Sequence, residues 1–352
     1  VEDVTDVEAI ERVLTARVQT YSSSRDFRYS YFRLEVERAG EELLPVRPKD
    51  IILVQDCSAS MSEQRLYFCR EGLRRSLAHI RPSDRFNIAR FADHTETCFD
   101  GWVTKTPETI AKAMAYIDGM KAQGYTDLFA SMQDLLSLEC ESTRPVIAFV
   151  ITDGLANKGL TDNSEIIGEF SRRNAGKISV FTMGASQLAN RYLIDLLSYC
   201  NKGYVNVISK GRWDIPDSAE AVMRGISRPV LGDLRLQFAT DSSCEVYPRQ
   251  VSNLYLDRPL VLYGRCRKGE EKLVFQAMGQ AGDVPCDLIF DLPLNTLDSR
   301  SSDKTIRQQW AQQKIYHLIG EYARTRDAEV LAELRGMSKS YKEPIPYKRS
   351  LF

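Results

Sequence analysis

The chain has 352 residues, 43% of them apolar and 27% charged, and a formal net charge of −1, which suits two or three globular domains. A balance this close to neutral gives no global electrostatic case for nucleic acid or an anionic membrane surface. No apolar run approaches the roughly 18 residues of a membrane helix, and the opening Val1-Glu2-Asp3 has neither a start Met nor a signal peptide, as expected of a processed or excised product.

Residues 5–21 are predicted as an amphipathic helix, with Val7, Ile10, Val13, Leu14 and Val18 on one face and Thr5 and Glu8 at capping-box spacing. Residues 26–38 alternate apolar and polar, the mark of a half-buried strand, and a turn at 39–42 and a connector at 45–50 follow. Strands are then expected at 51–55, 86–91, 146–151, 178–183 and 204–208, with helices near 62–80, 107–120, 127–138, 164–174, 190–200 and 217–227. This alternation predicts an α/β fold, a doubly wound and mostly parallel sheet.

Further on, strand candidates at 234–239, 254–256, 260–266, 273–277 and 286–292 crowd together as in a small antiparallel β-sandwich. Strand 26–38 has no other obvious partner and is expected to join them, so that the α/β domain is inserted in the sandwich. Residues 303–335 are predicted as one long helix and 344–352 as an extended tail. The expected organisation is thus 1–25 helix and linker, 26–50 strand and connector, 51–228 α/β domain, 229–295 sandwich, and 296–352 helix and tail.

The eight cysteines form no C-x-x-C pair, so a structural zinc site is not expected. Most read as buried free thiols, with Cys244, Cys266 and Cys286 as the candidates for bridging. The histidines, His79, His94 and His317, are far apart in sequence and give no support to histidine catalysis.

The chemistry concentrates in three loops. The apolar run Ile51–Gln55 ends in Asp56, Ser58 and Ser60, an acid and two hydroxyls at alternating positions. Gly124-Tyr125-Thr126-Asp127 leads into a predicted helix, and Val150-Ile151-Thr152-Asp153-Gly154 ends a second apolar strand with a carboxylate. A doubly wound sheet gathers such loops at its carboxyl edge. Hard oxygen donors suit Mg²⁺, with Mn²⁺ or Ca²⁺ possible, rather than zinc. Magnesium takes about six oxygens and keeps several waters, which leaves a position open to a partner.

Other readings of these residues are bland. Asp-x-Ser-x-Ser alone reads equally well as a helix cap. Cys57 reads as packing behind the loop, Asp127 as a helix-cap acid, Asp93 and Asp100 as solvated surface, and Arg70, Arg74 and Arg75 as a solvated helix face. Tyr125, Asp127 and Gly154 are candidates for a partner-binding surface at the same edge. The chain contains no G-x-x-x-x-G-K-[ST], G-x-S-x-G or H-E-x-x-H, so no catalytic residue is assigned and an enzyme is not expected.

Asp-x-Ser-x-Ser, a later Thr and Thr-Asp-Gly resemble the metal-ion-dependent adhesion site of von Willebrand factor type A (VWA) domains over roughly 51–228. The resemblance implies a Rossmann-like fold in which Ser58, Ser60 and Thr126 bind the ion directly. Asp56 and Asp153 would act close by, often through water, and a partner's carboxylate would fill the open position. Tyr31-Phe32, Pro48-Lys49-Asp50, Gln309-Trp310-Ala311 and the tyrosine-and-serine ending look like inter-α-trypsin inhibitor heavy-chain-like proteins. Those usually carry an upstream VIT domain, which is not expected here. Their Asp-Pro motif for covalent glycan attachment is absent, so that chemistry is not carried over.

The expectation is therefore a cation-dependent protein- or glycan-binding module, extracellular, periplasmic or at the cell surface. It would bind no nucleic acid and insert in no membrane. The alternatives are a scaffold fragment whose metal site is filled by another domain of its parent, or a partner subunit of an ATPase assembly.

Overall fold

The computed structural model describes residues 14–22, 26–39, 44–141, 144–239, 243–282, 284–297 and 299–347. They group into two compact units. One holds the described residues up to Arg47 with Pro229–Tyr322 and Asp327–Ile345, and the other holds Pro48–Arg228 with Ala323–Arg326 and the described residues from Pro346.

The Pro48–Arg228 unit is built on strands β3 (Asp50–Asp56), β4 (Arg85–Phe91), β5 (Thr95–Thr97), β6 (Val103–Thr104), β7 (Val146–Thr152), β8 (Ile178–Gly184) and β9 (Val205–Val207). Their order is β5-β4-β3-β7-β8-β9, with β6 on β4. The β4-β3-β7-β8-β9 pairs are parallel, and only β5 and β6 run antiparallel. Every residue of β3, β7 and β8 is buried, which explains their unbroken apolar runs, since parallel strands are covered on both faces.

The helices are α1 (Ser62–Ala78), α2 (Pro107–Asp118), α3 (Leu128–Leu136), α4 (Asn163–Asn174), α5 (Arg191–Tyr199) and α6 (Ile215–Ile226). Local chemistry sets their starts. Thr106 and Thr109 form a capping box on α2, and Asp127, Asp162 and Asn190 cap α3, α4 and α5.

Buried charge also occurs in this unit away from the sheet's carboxyl edge. Lys49 and Asp84, with fully buried side chains, pair at 2.5 Å, and Lys49 Nζ also donates to the Ser227 carbonyl at 2.8 Å. Asp195 on α5 is 4% exposed, and burial raises its pKa to about 6, against a lowering by Arg191. Its Oδ2 accepts from the Tyr347 hydroxyl, while its Oδ1 has no hydrogen-bond partner. Because the folded pKa is raised, stability falls as pH climbs through the window from the ordinary carboxylate value of 3.8 to about 6. Asp195→Asn should therefore gain on the order of 1–3 kcal/mol above that window and little below it, measured by urea unfolding at neutral and acid pH.

The other unit is a sandwich of two four-stranded antiparallel sheets. Strands β1 (Leu14–Tyr21), β2 (Tyr29–Arg38), β13 (Leu260–Arg267) and β11 (Glu245–Tyr247) form one. Strands β12 (Leu254–Tyr255), β10 (Pro229–Phe238), β14 (Lys272–Ala281) and β15 (Val284–Pro293) form the other. Phe32, Leu34, Val36 and Leu262 of the first sheet and Leu231, Leu273, Phe275 and Leu288 of the second share one core. Strand β2 pairs with β13 along its length, and Gly264 lies opposite Phe32, where an added Cβ would come within 1.9 Å of the ring. Cys244 and Cys266, adjacent to the β11–β13 pairing, form a disulfide, while Cys286 is free. Arg47 N–H donates to the Pro229 carbonyl at 2.7 Å.

Three expectations are corrected. The helix expected over 5–21 lies outside the described residues up to 13, and from Leu14 to Tyr21 it is strand β1. Leu14, Ala16, Val18 and Thr20 alternate with exposed Arg17 and Gln19, and pairing with β2 overrides the helix-like spacing. The single long helix is two, α7 (Thr305–Thr325) and α8 (Ala328–Tyr341). The break falls at Arg326, whose φ is +56°, and Asp327 caps the second helix by accepting from Glu329 N–H. Strands β6 and β11, of two and three residues, were not expected. The turn expected at 39–42 and the tail at 344–352 lie outside the described residues from 40 to 43 and from 348 onward.

Candidate metal centre

Strand order places the loops after β3 and β7 beside each other, where the connections run off in opposite directions from β3. Such a switch point is where open α/β sheets bind ligands. Asp56, at the end of β3, is fully buried. Its Oδ1 accepts from Ser58 N–H at 2.9 Å and its Oδ2 from the Thr152 hydroxyl at 2.6 Å. Burial, then the charge of Asp153, raises its pKa to about 6, against the lowering hydrogen bonds of Thr152 and Ser58. The Ser58 and Ser60 hydroxyls are 2.9 Å apart.

Asp153 is 2% exposed. Its Oδ1 accepts from Leu155 N–H at 3.2 Å, and Arg65 Nη1 lies 3.7 Å from its Oδ2. The same Arg65 nitrogen donates to the Ser60 carbonyl at 2.8 Å. Behind Asp153, Gly154 has φ +69° and is buried, and an added Cβ would come within 2.9 Å of Ile194.

Thr126 comes from the third loop. Backbone bonds tie that loop to the first: Ala59 N–H to the Gly124 carbonyl at 3.1 Å and Gln123 N–H to the Cys57 carbonyl at 2.8 Å. Asn157 fixes the Thr126 backbone, its Oδ1 accepting from Thr126 N–H at 2.7 Å. Thr126 itself is fully buried, yet its hydroxyl has no hydrogen-bond partner. An unmet buried hydroxyl costs about 1–3 kcal/mol. The hydroxyl-rich set, with one orphaned member and two buried carboxylates, fits a hard cation. Among the described residues, no group of three or more His, Cys, Asp and Glu side chains is gathered for a metal, so a cation held here would rely on the hydroxyls.

The partner-surface candidates separate. Tyr125 is 64% exposed. Asp127 is half-buried and accepts from Ala130 N–H at 3.2 Å as the α3 cap. Gly154 is buried and offers a partner no side-chain surface. Asp93, expected as solvated surface, instead holds the Thr126 loop: it accepts from Tyr125 N–H at 3.3 Å and pairs with Lys158 at 3.0 Å. Arg65, Thr152 and Asn157 were given no role from the sequence because their contacts with Asp153, Asp56 and Thr126 join segments far apart in the chain. Cys57 is buried, and that burial raises its thiol to about 12, which leaves it unreactive.

Large apolar side chains also ring this edge. Tyr125, Leu155 and Leu188 are exposed in the loops that precede α3 or follow β7 and β8, and Trp213 is exposed in the 3-10 turn Arg212–Asp214 that follows β9. Trp213 stands edge-on to Phe68 at 4.7 Å.

Residues 49–207, which hold the parallel sheet and this edge, match the model of the von Willebrand factor type A domain. The chain is similar to a von Willebrand factor A domain-containing protein of Dictyostelium discoideum, 24% identical over 79% of this chain and 32% of the relative. It is also similar to the human inter-alpha-trypsin inhibitor heavy chain H3, 22% identical over 76% of this chain and 30% of the relative. The chain thus spans about a third or less of the length of these curated relatives. Among solved structures, a von Willebrand factor type A protein from Catenulispora acidiphila superposes with TM-score 0.62 at 9% identity, covering 94% of this chain and 87% of the other. The ArnB paralog VWA2 from Sulfolobus acidocaldarius gives 0.54 at 16% identity, covering 96% and 92%. At such identities the likeness is one of fold.

Proposed function

We propose that this chain is a divalent-cation-dependent binding module and not an enzyme. Ser58, Ser60 and Thr126 would hold Mg²⁺ (or Mn²⁺ or Ca²⁺), with Asp56 and Asp153 balancing its charge directly or through water. An acidic group of a partner would complete the coordination. The observation that carries this reading is the buried, partnerless hydroxyl of Thr126 on a loop bonded to the Ser58–Ser60 loop. Arg65 would give up its contact with Asp153 as the cation supplies the neutralising charge.

The exposed Tyr125, Leu155, Leu188 and Trp213, all in connections at the edge that carries the hydroxyls, favour a protein partner, whose apolar side chains they could meet. The Cys244–Cys266 bond supports an oxidising compartment, outside the cell, in the periplasm or at the cell surface.

Magnesium should raise the unfolding temperature of the unmodified chain, since a ligand that binds only the folded state stabilises it. Thr126→Ala should abolish that rise while leaving the metal-free melt unchanged or slightly higher, because it removes an unmet hydroxyl. A Thr126→Ala protein that gained as much from Mg²⁺ as the unmodified chain would refute the assignment.

A further inference from the structure

The sandwich unit contains a cavity of about 1450 Å³ bounded by the end of β1, the start of β2, β13, the start of α7 and the end of α8. Five cations line it against two acids, Asp26 and Glu333. Both acids are already engaged. Asp26 accepts from the N–H groups of Arg28 and Tyr29 at 3.2 and 3.3 Å and from the Tyr31 hydroxyl at 2.6 Å. Glu333 pairs with Lys314 at 2.7 Å.

Among the cations, Arg265 is engaged as well. It pairs with Glu245 at 2.8 Å, donates to the Tyr341 hydroxyl at 3.1 Å and lies over Tyr29 and Trp310 at 4.1 and 4.3 Å. Arg307 is used differently. Its half-buried guanidinium lies over Tyr341 at 4.4 Å and makes no hydrogen bond or ion pair among the described residues. Stacking takes the face of a guanidinium and leaves its N–H edges available. Lys304 and Lys342, both exposed, line the same space with no carboxylate partner among the described residues.

We infer that this cavity binds a small, multiply charged oxyanion of the phosphate type. The Arg307 edge would take two oxygens of one group, and Lys304 and Lys342 would meet the remaining charge. A guanidinium edge matches paired oxygens, and although the Asp26 carboxylate keeps its charge and acts on Arg307, the cations that line the space outnumber it and leave the field positive.

Tripolyphosphate titrated calorimetrically into the full chain tests this, with EDTA present so that no divalent ion bridges elsewhere. One saturable site is expected, weakening as ionic strength rises. Arg307→Ala should lose about tenfold or more in affinity, and Arg307→Lys should recover only part because an ammonium cannot bind bidentately. The double change Lys304→Ala and Lys342→Ala, at exposed positions that leave folding intact, should weaken binding by a smaller factor. Absence of a saturable site, or undiminished affinity in both Arg307→Ala and the lysine pair, overturns the inference.

Discussion

Asp84→Ala should cost the Pro48–Arg228 unit about 3–5 kcal/mol in urea unfolding, because it strands a buried ammonium. Lys49 Nζ has the Asp84 carboxylate at 2.5 Å and the Ser227 carbonyl at 2.8 Å, and no solvent. Burial pulls its pKa down to about 8 even against the charge and hydrogen bond of Asp84. Burial would likewise raise Asp84, but the charge of Lys49 and hydrogen bonds from Arg81 and Lys49 outweigh it and leave the pKa lowered. Taking away Asp84 removes what keeps Lys49 charged, and also the acceptor for Arg81 N–H at 2.9 Å. Removing both charges tells a different story. A Lys49→Met, Asp84→Leu protein should unfold within about 2 kcal/mol of the unmodified chain, since apolar replacement of a buried pair is often near neutral. If the single and the double variant lose the same stability, the pair is not what holds this corner.

Trp310→Ala should destabilise the sandwich unit by about 3–5 kcal/mol, the usual range for a fully buried aromatic. The indole is 0% exposed and packs at 5.6 Å from Tyr31 and 5.2 Å from Tyr341. It carries the Arg265 guanidinium at 4.3 Å, and its N–H donates to the Glu245 carbonyl at 3.0 Å. Truncation empties a large space, frees one face of Arg265 and orphans a carbonyl. Trp310→Phe keeps most of the packing and should lose about 1–2 kcal/mol less than alanine, which separates packing from the hydrogen bond. Chemical unfolding followed by far-UV circular dichroism reads both.

What the sequence discloses follows from how local each signal is. Strands β3 and β7 are legible because burial on both faces forces a continuous apolar run. Asp56, Ser58 and Asp153 stand out because they interrupt those runs at their ends. Strand β1 misleads because Val13 or Leu14 and Val18 suit a helical face as well as an alternating one, and only β2 decides between them. The α7–α8 break hides in a charged run without glycine or proline, where Asp327 is the single local sign of a new start. At the candidate metal centre, the hydroxyl and acid positions are readable from spacing. The groups that hold them are not. Thr152 reaches Asp56 across 96 positions and Asn157 reaches Thr126 across 31, so both depend on the finished sheet.

The hydrogen bond from Arg47 to Pro229 has a consequence for how such a protein changes over time. To the sandwich strands, everything from Pro48 to Arg228 is an excursion that leaves and returns through neighbouring residues. Lys49 reaching Ser227 brings the two ends of the excursion together from its own side. A host whose gap is already closed is nearly indifferent to the length of what fills it, since doubling a loop adds only about 0.6 kcal/mol. Insertions, deletions and wholesale exchange of the inserted unit can therefore accumulate without shifting the register of a single strand in the host.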